Sequence, residues 1–270
     1  MPVTHPAAHR LVLSDTEFAL LTRRSETQVP AWFGIGQSTA GVAPGGAEAR
    51  LREIGVLDGT GTPVPSVTAN LAVLTTPAVT IRTEVSIRDQ GLISVHTIAG
   101  PLGASLISLV GGAVELTLFP ASTLGAELRR AVPPLPTTGS DISDAFGPPP
   151  PLSGRLPLTA LREISAVAAL SGRTGVEALA EQENLSPDEV VLAREVSRRT
   201  RGVLWSLVIG HAGGETAVGQ LVWLATDTDW VGLRPQPAHG RRLVDLVPVD
   251  PADFGSWLAP DLATILDSSP

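Results

Sequence analysis

The sequence predicts an α+β fold: two similar units, each of helices followed by a β-meander, joined into one central antiparallel sheet with helices at its ends. Three observations carry that prediction. The stretch Gly202–Pro237 holds three apolar, β-branched and Trp-bearing runs separated by HAGGE and TDTD, the pattern of an antiparallel meander. Residues 78–119 hold a second meander, in which Val79, Ile81, Thr83, Val85 and Ile87 alternate with Thr80, Arg82, Glu84 and Ser86. The order of helices, meander, proline and helix then occurs twice, on either side of a Pro/Gly/Ser/Thr-dense stretch at 132–157.

In chain order, residues 1–12 read as a tail leading into Leu11–Leu13. Ser14 caps a short helix, with Asp15 and Glu17 in its first turn, Glu17 at the capping-box position, and Arg23 and Arg24 at its end. Val29–Ile35 reads as a first strand, 36–46 as a loop, and Ala47–Ile54 as a helix closed by Gly55. A further helix is expected at Ser66–Leu74 with Ser66 as its cap. The first meander follows, then a helix at Ala121–Ala131. Four consecutive prolines, Pro148–Pro151, mark 132–157 as a linker or exposed loop unable to build core, between an N-terminal half (1–131) and a C-terminal half (158–270) of one integrated domain.

The second half opens with a helix at 158–170, where Thr159 is a plausible cap and LREIS echoes LREIG at 51–55. Helices at Thr174–Gln182 and Pro187–Arg199 come next; Ser186, Pro187, Asp188 and Glu189 give the latter the clearest start signal in the chain. After the second meander, Leu243–Val247 is a strand ended by Pro248, and Asp250–Leu266 a helix interrupted at Pro260.

Composition narrows the function. Of the 270 residues, 43% are hydrophobic and only 17% charged, so the surface is poor in charge, as suits a protein that meets another protein. The net charge of −8, with no clustering of arginine and aromatics, argues against nucleic acid. No cysteine is present, which excludes disulfides and thiolate metal sites. The N-terminus lacks a basic region followed by an apolar run, and no apolar stretch reaches the roughly 20 residues of a membrane span, so a soluble, cytoplasmic protein is expected.

Candidate chemistry is sparse. GQSTAG (36–41) lacks the spacing of a nucleophile elbow around Ser38. The histidines His5, His9, His96, His211 and His239 form no HExxH-type face, and neither a metal nor a cofactor is expected. His96 reads as a half-buried, hydrogen-bonded strand residue. Asp227 and Asp229 stand two apart in ATDTDW, as paired carboxylates or as a polar turn that caps its own backbone. Of Trp32, Trp205, Trp223, Trp230 and Trp257, three lie in the second meander; Trp205, Trp223 and Trp230 are the candidates for a partner interface.

With that architecture, TEFALL (16–21), ARLREIGVLDGTGTPVPSV (49–67), LAVLTTPAVTI (71–81), VGQLVWLATDTDWVGLRP (218–235) and SWLAPDLATIL (256–266) resemble the EspG family of type VII (ESX) secretion-associated proteins. The resemblance covers nearly the whole chain as a pattern rather than as one motif. It implies a quasi-twofold α+β fold, with a central antiparallel sheet flanked by helical bundles, and a cytosolic, non-catalytic chaperone. Such a chaperone binds the helical tip of the PPE member of a PE–PPE heterodimer through its central sheet and C-terminal helical bundle. Two other readings stand beside it: a hydrolase using Asp227, Asp229 and His211, and a self-assembling structural subunit.

Overall fold

The computed structural model describes residues 9–25, 27, 44–109, 111–135, 150–170, 181–212, 215–236 and 240–267. The strand expected at Val29–Ile35, Trp32, and all but the last two residues of the helix expected at Thr174–Gln182 lie outside them. The elements run β1 (His9–Ser14), α1 (Asp15–Arg24), α2 (Pro44–Glu53), α3 (Pro65–Thr75), β2 (Val79–Ile87), β3 (Gln90–Ala99), β4 (Leu102–Leu109), β5 (Ala113–Pro120) and α4 (Leu124–Arg129). The second half follows with β6 (Gly154–Pro157), α5 (Leu158–Leu170), α6 (Pro187–Arg199), β7 (Gly202–Ala212), β8 (Glu215–Ala225), β9 (Trp230–Gln236), β10 (Leu243–Val249) and α7 (Phe254–Asp267). Among the described residues no helix is long and apolar enough to cross a membrane.

The capping signals act where the residue chemistry puts them. Ser14 and Ser186 both form full capping boxes, with Glu17 and Glu189 returning a carboxylate to the cap backbone. Helix α3 differs from expectation: it starts at Pro65 with Val64 as its N-cap, because proline at the first helical position needs no donor. Thr159 lies inside α5 rather than capping it, and its hydroxyl reaches Glu183. Pro260 does not interrupt α7, which is anchored on either side of it by buried Leu258 and Ile265.

All ten strands form one antiparallel sheet in the order β1-β5-β4-β3-β2-β7-β8-β9-β10-β6. The two meanders join where β2 pairs with β7 over nine residue pairs, from Val79↔Gly210 to Ile87↔Gly202. The order reads the same from both ends when the halves are exchanged, which is the quasi-twofold. Following the ladders outward from Thr83↔Ser206 matches His96 with Trp223, Ser105 with Gly232, and Thr117 with Val247. The same registers match β5, starting at Ala113, with β10, starting at Leu243, and both are followed by a three-residue 3-10 turn and a helix.

Edge strands β1 and β6 pair with β5 and β10, and each runs directly into a helix, α1 or α5. Phe18 therefore matches Leu161, and Leu21 matches Ile164. The repeated LREI marks no equivalence, since its copies fall on α2 and α5. Segment 1–12 is thus no simple tail, because its end is an edge strand. The Pro-rich stretch also contributes to core at its ends: Val132, Leu152 and Leu156 are buried. Pro248 sits inside β10 rather than ending it. It is tolerated because β6 ends opposite Leu246 and leaves that side of β10 without a neighbour.

Each strand sends alternate side chains to opposite faces of the sheet. On one face, called here the bundle face, α1–α3 cover β1, β5, β4 and β3 around Phe18, Leu71, Val95 and Leu106. On the same face α5 and α6 cover the other end around Leu161, Val196, Val231 and Val244. On the opposite face α4 and α7 cover the centre, with Val208, Trp223, Trp230, Phe254 and Leu258 as the core. Glycines let α7 lie close: a Cβ on Gly210 would stand 2.0 Å from Ile265 Cγ2, and one on Gly232 2.5 Å from the Trp257 ring.

Candidate partner-binding face

Among the described residues, no helix lies over the centre of the bundle face. Between the two bundles lie Arg82 and Glu84 of β2, Val203, Trp205, Leu207 and Ile209 of β7, and Val218, Gln220 and Val222 of β8. Val203 is 38% and Val218 61% exposed, and Trp205, Leu207, Ile209 and Val222 are half-buried. β-branched and aromatic residues build good strands, but here they do so without a covering layer among the described residues. Contiguous apolar surface of this kind marks an interaction site.

The only formal charges among these residues belong to Arg82 and Glu84, which pair with each other along β2. The Arg82 guanidinium also stands 5.9 Å from the centroid of the Trp205 ring. The charges are therefore mutually neutralised on a strip that is otherwise apolar. A cavity of about 610 Å³ opens at the C-terminal edge of the strip, between β7–β9 and helices α5 and α6.

Of the three tryptophans expected at an interface, Trp205 alone lies on this face. Trp223 and Trp230 are core residues, 0% and 2% exposed, on the opposite side of the sheet. The reason is register: Trp223 pairs with Leu204 and Trp230 with Ala225, which puts both rings under α7. There Trp223 meets Phe254 edge-on at 5.3 Å and Trp257 at 5.9 Å. Alternation in the sequence puts Leu207 and Ile209 on one face with Trp205, but sequence reasoning names only the tryptophans as interface candidates and misses Val218 and Val222. The signal that could have found them is the second apolar face of a strand whose first face already fills the core.

The residues of the hydrolase reading do not converge. Asp227 pairs with Arg201 at 2.7 Å, and Asp229 accepts from the Thr228 hydroxyl in a turn closed by hydrogen bonds between Thr226 and Asp229. That turn follows β8, whose end pairs with Gly202, whereas His211 pairs with Thr216 at the other end of the same ladder. Nine residues of strand, about 30 Å at roughly 3.3 Å each, separate the two ends. Among the described residues no group of His, Asp and Glu could hold a metal ion.

A polar cluster lies under α4 on the opposite face. His96 is fully buried rather than half-buried as expected; it lies against the Glu127 backbone, and neither ring nitrogen reaches a partner among the described residues at full hydrogen-bond geometry. Burial lowers its pKa to about 4, only partly opposed by Glu127. Beside it, Arg10 donates to Glu127 at 2.7 Å, and Arg130 bridges Glu127 at 3.1 Å and Glu115 at 2.8 Å. Burial pushes the Glu115 carboxyl up, but the hydrogen bond and charge of Arg130 outweigh it and hold the pKa below its usual value. These ion pairs tie β1, β5 and α4 together, a structural use of the charges.

No protein-family model and no curated protein matches the sequence. Among solved structures, the chain is similar to one in the structure of the Mycobacterium tuberculosis type VII secretion system chaperone EspG5 in complex with the PE25–PPE41 dimer. The TM-score is 0.64, at 13% identity, over 97% of both chains. At that identity the likeness establishes the fold, and it is the fold implied by the resemblance read in the sequence. Two other M. tuberculosis structures, HtdX (12% identity, 88% of this chain and 98% of that) and the dehydratase domain of PpsC (12%, 69% and 85%), have TM-scores of 0.16 and carry no argument.

Proposed function

We propose that this chain is a non-catalytic secretion chaperone of the EspG type, acting in the cytoplasm on a PE–PPE heterodimer. The open centre of the bundle face takes the apolar helical tip of the PPE subunit and shields it from water until export. The single observation that carries this reading is the strip of Val203, Trp205, Leu207, Ile209, Val218 and Val222, exposed or half-buried between two helical bundles. The shared fold with the EspG5 structure supports it.

The mechanism is burial. A helical tip that exposes apolar side chains aggregates; laid on this strip it loses contact with water. At roughly 25 cal/mol per Å², several hundred Å² of shared apolar surface is enough to compete with aggregation. No proton or bond need move. The scattered positions of Asp227, Asp229 and His211 agree with a surface that holds rather than cuts.

Co-expression tests the reading. Each PE–PPE pair of the chain's own genome is produced with and without this protein, and the soluble fraction is fractionated by size. The expected result is a ternary complex with one pair, soluble only with its chaperone. Pairs equally soluble alone, with no co-eluting complex, would overturn the proposal.

A further inference from the structure

The two halves differ at one pair of equivalent places, and the difference leaves a pocket. In the first half, Phe18 and Leu21 of α1 share a core with Val95 of β3; the first two are fully buried and Val95 is 1% exposed. Their equivalents are Leu161 and Ile164 of α5 and Val222 of β8. Leucine stands where the other half has a phenylalanine ring, and Val222 is left half-buried. Helix α6 packs on β6 and α5, whereas its counterpart α3 sits directly on β3 and β4. The second bundle is therefore seated toward the β9, β10 and β6 end of the sheet, and the cavity of about 610 Å³ opens where it meets β7 and β8, within the range of ligand pockets of about 300–1,000 Å³.

The lining is mostly apolar, and one of its residues is charged. Leu158, Leu161, Val196, Val203 and Val222 form its walls, and Arg162 stands among them, exposed and without an ion pair among the described residues. In the first half the position of Arg162 is held by Ala19. Arg82 is paired with Glu84, and Arg201 with Asp227. Among the described residues, Arg162 is the one charged side chain of the cavity lining. Val203, Gln220 and Val222 belong both to the cavity and to the open strip, so the two are one surface.

The geometry points to this pocket as the specificity site for the client. It receives an apolar side chain of the PPE-type tip, and Arg162 pairs with a carboxylate of the same helical segment, about one turn away. This rests on the chaperone reading and adds what the client must present: an apolar anchor with an Asp or Glu beside it. A guanidinium at the rim of a desolvated apolar pocket is well placed to select among similar clients, because a client lacking the acid leaves it unpaired and a basic residue is repelled.

The test uses the PE–PPE pair captured by the wild-type chain, with dissociation constants measured by calorimetry. Arg162→Glu on the exposed side of α5 is expected to weaken binding at least fivefold with an unchanged melting temperature. A client carrying Arg in place of one acidic tip residue should bind R162E better than it binds the wild type. Leu161→Phe, which fills the pocket as Phe18 fills its counterpart, is expected to block the client while leaving the fold as stable or more so. If wild type captures a client and both variants bind it as well as wild type does, the pocket assignment is wrong while the chaperone reading stands. If wild type captures none, the chaperone reading itself fails.

Discussion

The hydroxyl oxygens of Thr83 and Ser206, related by the quasi-twofold and both fully buried, lie 3.1 Å apart across the joint between the two halves. Ser206 also donates to the carbonyl of Arg82 at 3.2 Å. A hydroxyl has one proton to give, so Ser206 is committed to that carbonyl and Thr83 is the donor to Ser206. The two residues are symmetric in position and unequal in role.

That inequality predicts unequal mutants. Thr83→Val leaves Ser206 bonded to Arg82 and should cost less than about 1 kcal/mol. Ser206→Ala strands the Thr83 hydroxyl in the core and should cost about 1–3 kcal/mol. Urea denaturation of the two variants and the double mutant measures this. A Thr83→Val cost equal to or above that of Ser206→Ala would refute the assignment.

On the proposed chaperone reading, the tryptophans separate stability from binding. Trp223→Ala empties a site packed by Phe254, Trp230 and Trp257 and is expected to lower stability by about 3–5 kcal/mol. Trp205→Ala removes a ring from the open strip, so its stability cost should stay near 1 kcal/mol or below while client binding falls tenfold or more. Thermal denaturation beside a client-binding assay reads both.

His96 makes stability depend on pH. Its pKa is 6.5 when unperturbed and about 4 in the folded chain, so between those values the unfolded state holds a proton that the native state refuses. Stability therefore falls as pH drops from about 6.5 to 4, by roughly 3 kcal/mol at the limit. Glu115, held below its usual range by Arg130, loses its contribution in the same direction as acid protonates it. His96→Leu should flatten the slope between pH 6.5 and 4 and be neutral or stabilising at pH 7. Urea midpoints across that range provide the check.

The fit of α7 on the sheet predicts a rescue. Gly210→Ala would drive a methyl into Ile265 Cγ2 and cost about 1–3 kcal/mol. Ile265→Ala opens space at the same spot at its own cost. The double mutant should be more stable than the sum of the two singles implies, because each relieves the other. Strict additivity in chemical denaturation would count against the contact.

Local order was written plainly in the residues: the alternation of Val79–Ile87, the capping boxes at Ser14 and Ser186, and the doubled order of elements. What depends on register was not. Alternation says that Trp205 and Leu204 face opposite ways, but only the pairing of Leu204 with Trp223 puts Trp223 in the core. The edge strand at His9–Ser14 was hidden for a similar reason, since nothing local in HRLVLS announces β5 as its neighbour. The pocket beside Arg162 is built from α5, α6 and β7–β9, places distant in sequence that only the fold brings together.

The ladder between β2 and β7 bears on how the chain can be divided. Each of those strands, taken alone, would be a long bare edge rich in Val, Ile and Leu, the sort that recruits other strands indiscriminately. Each is the natural complement of the other. A chain severed once between residues 135 and 150 should therefore remain a single particle on a sizing column. Two fragments made separately should be sticky on their own and find each other when mixed.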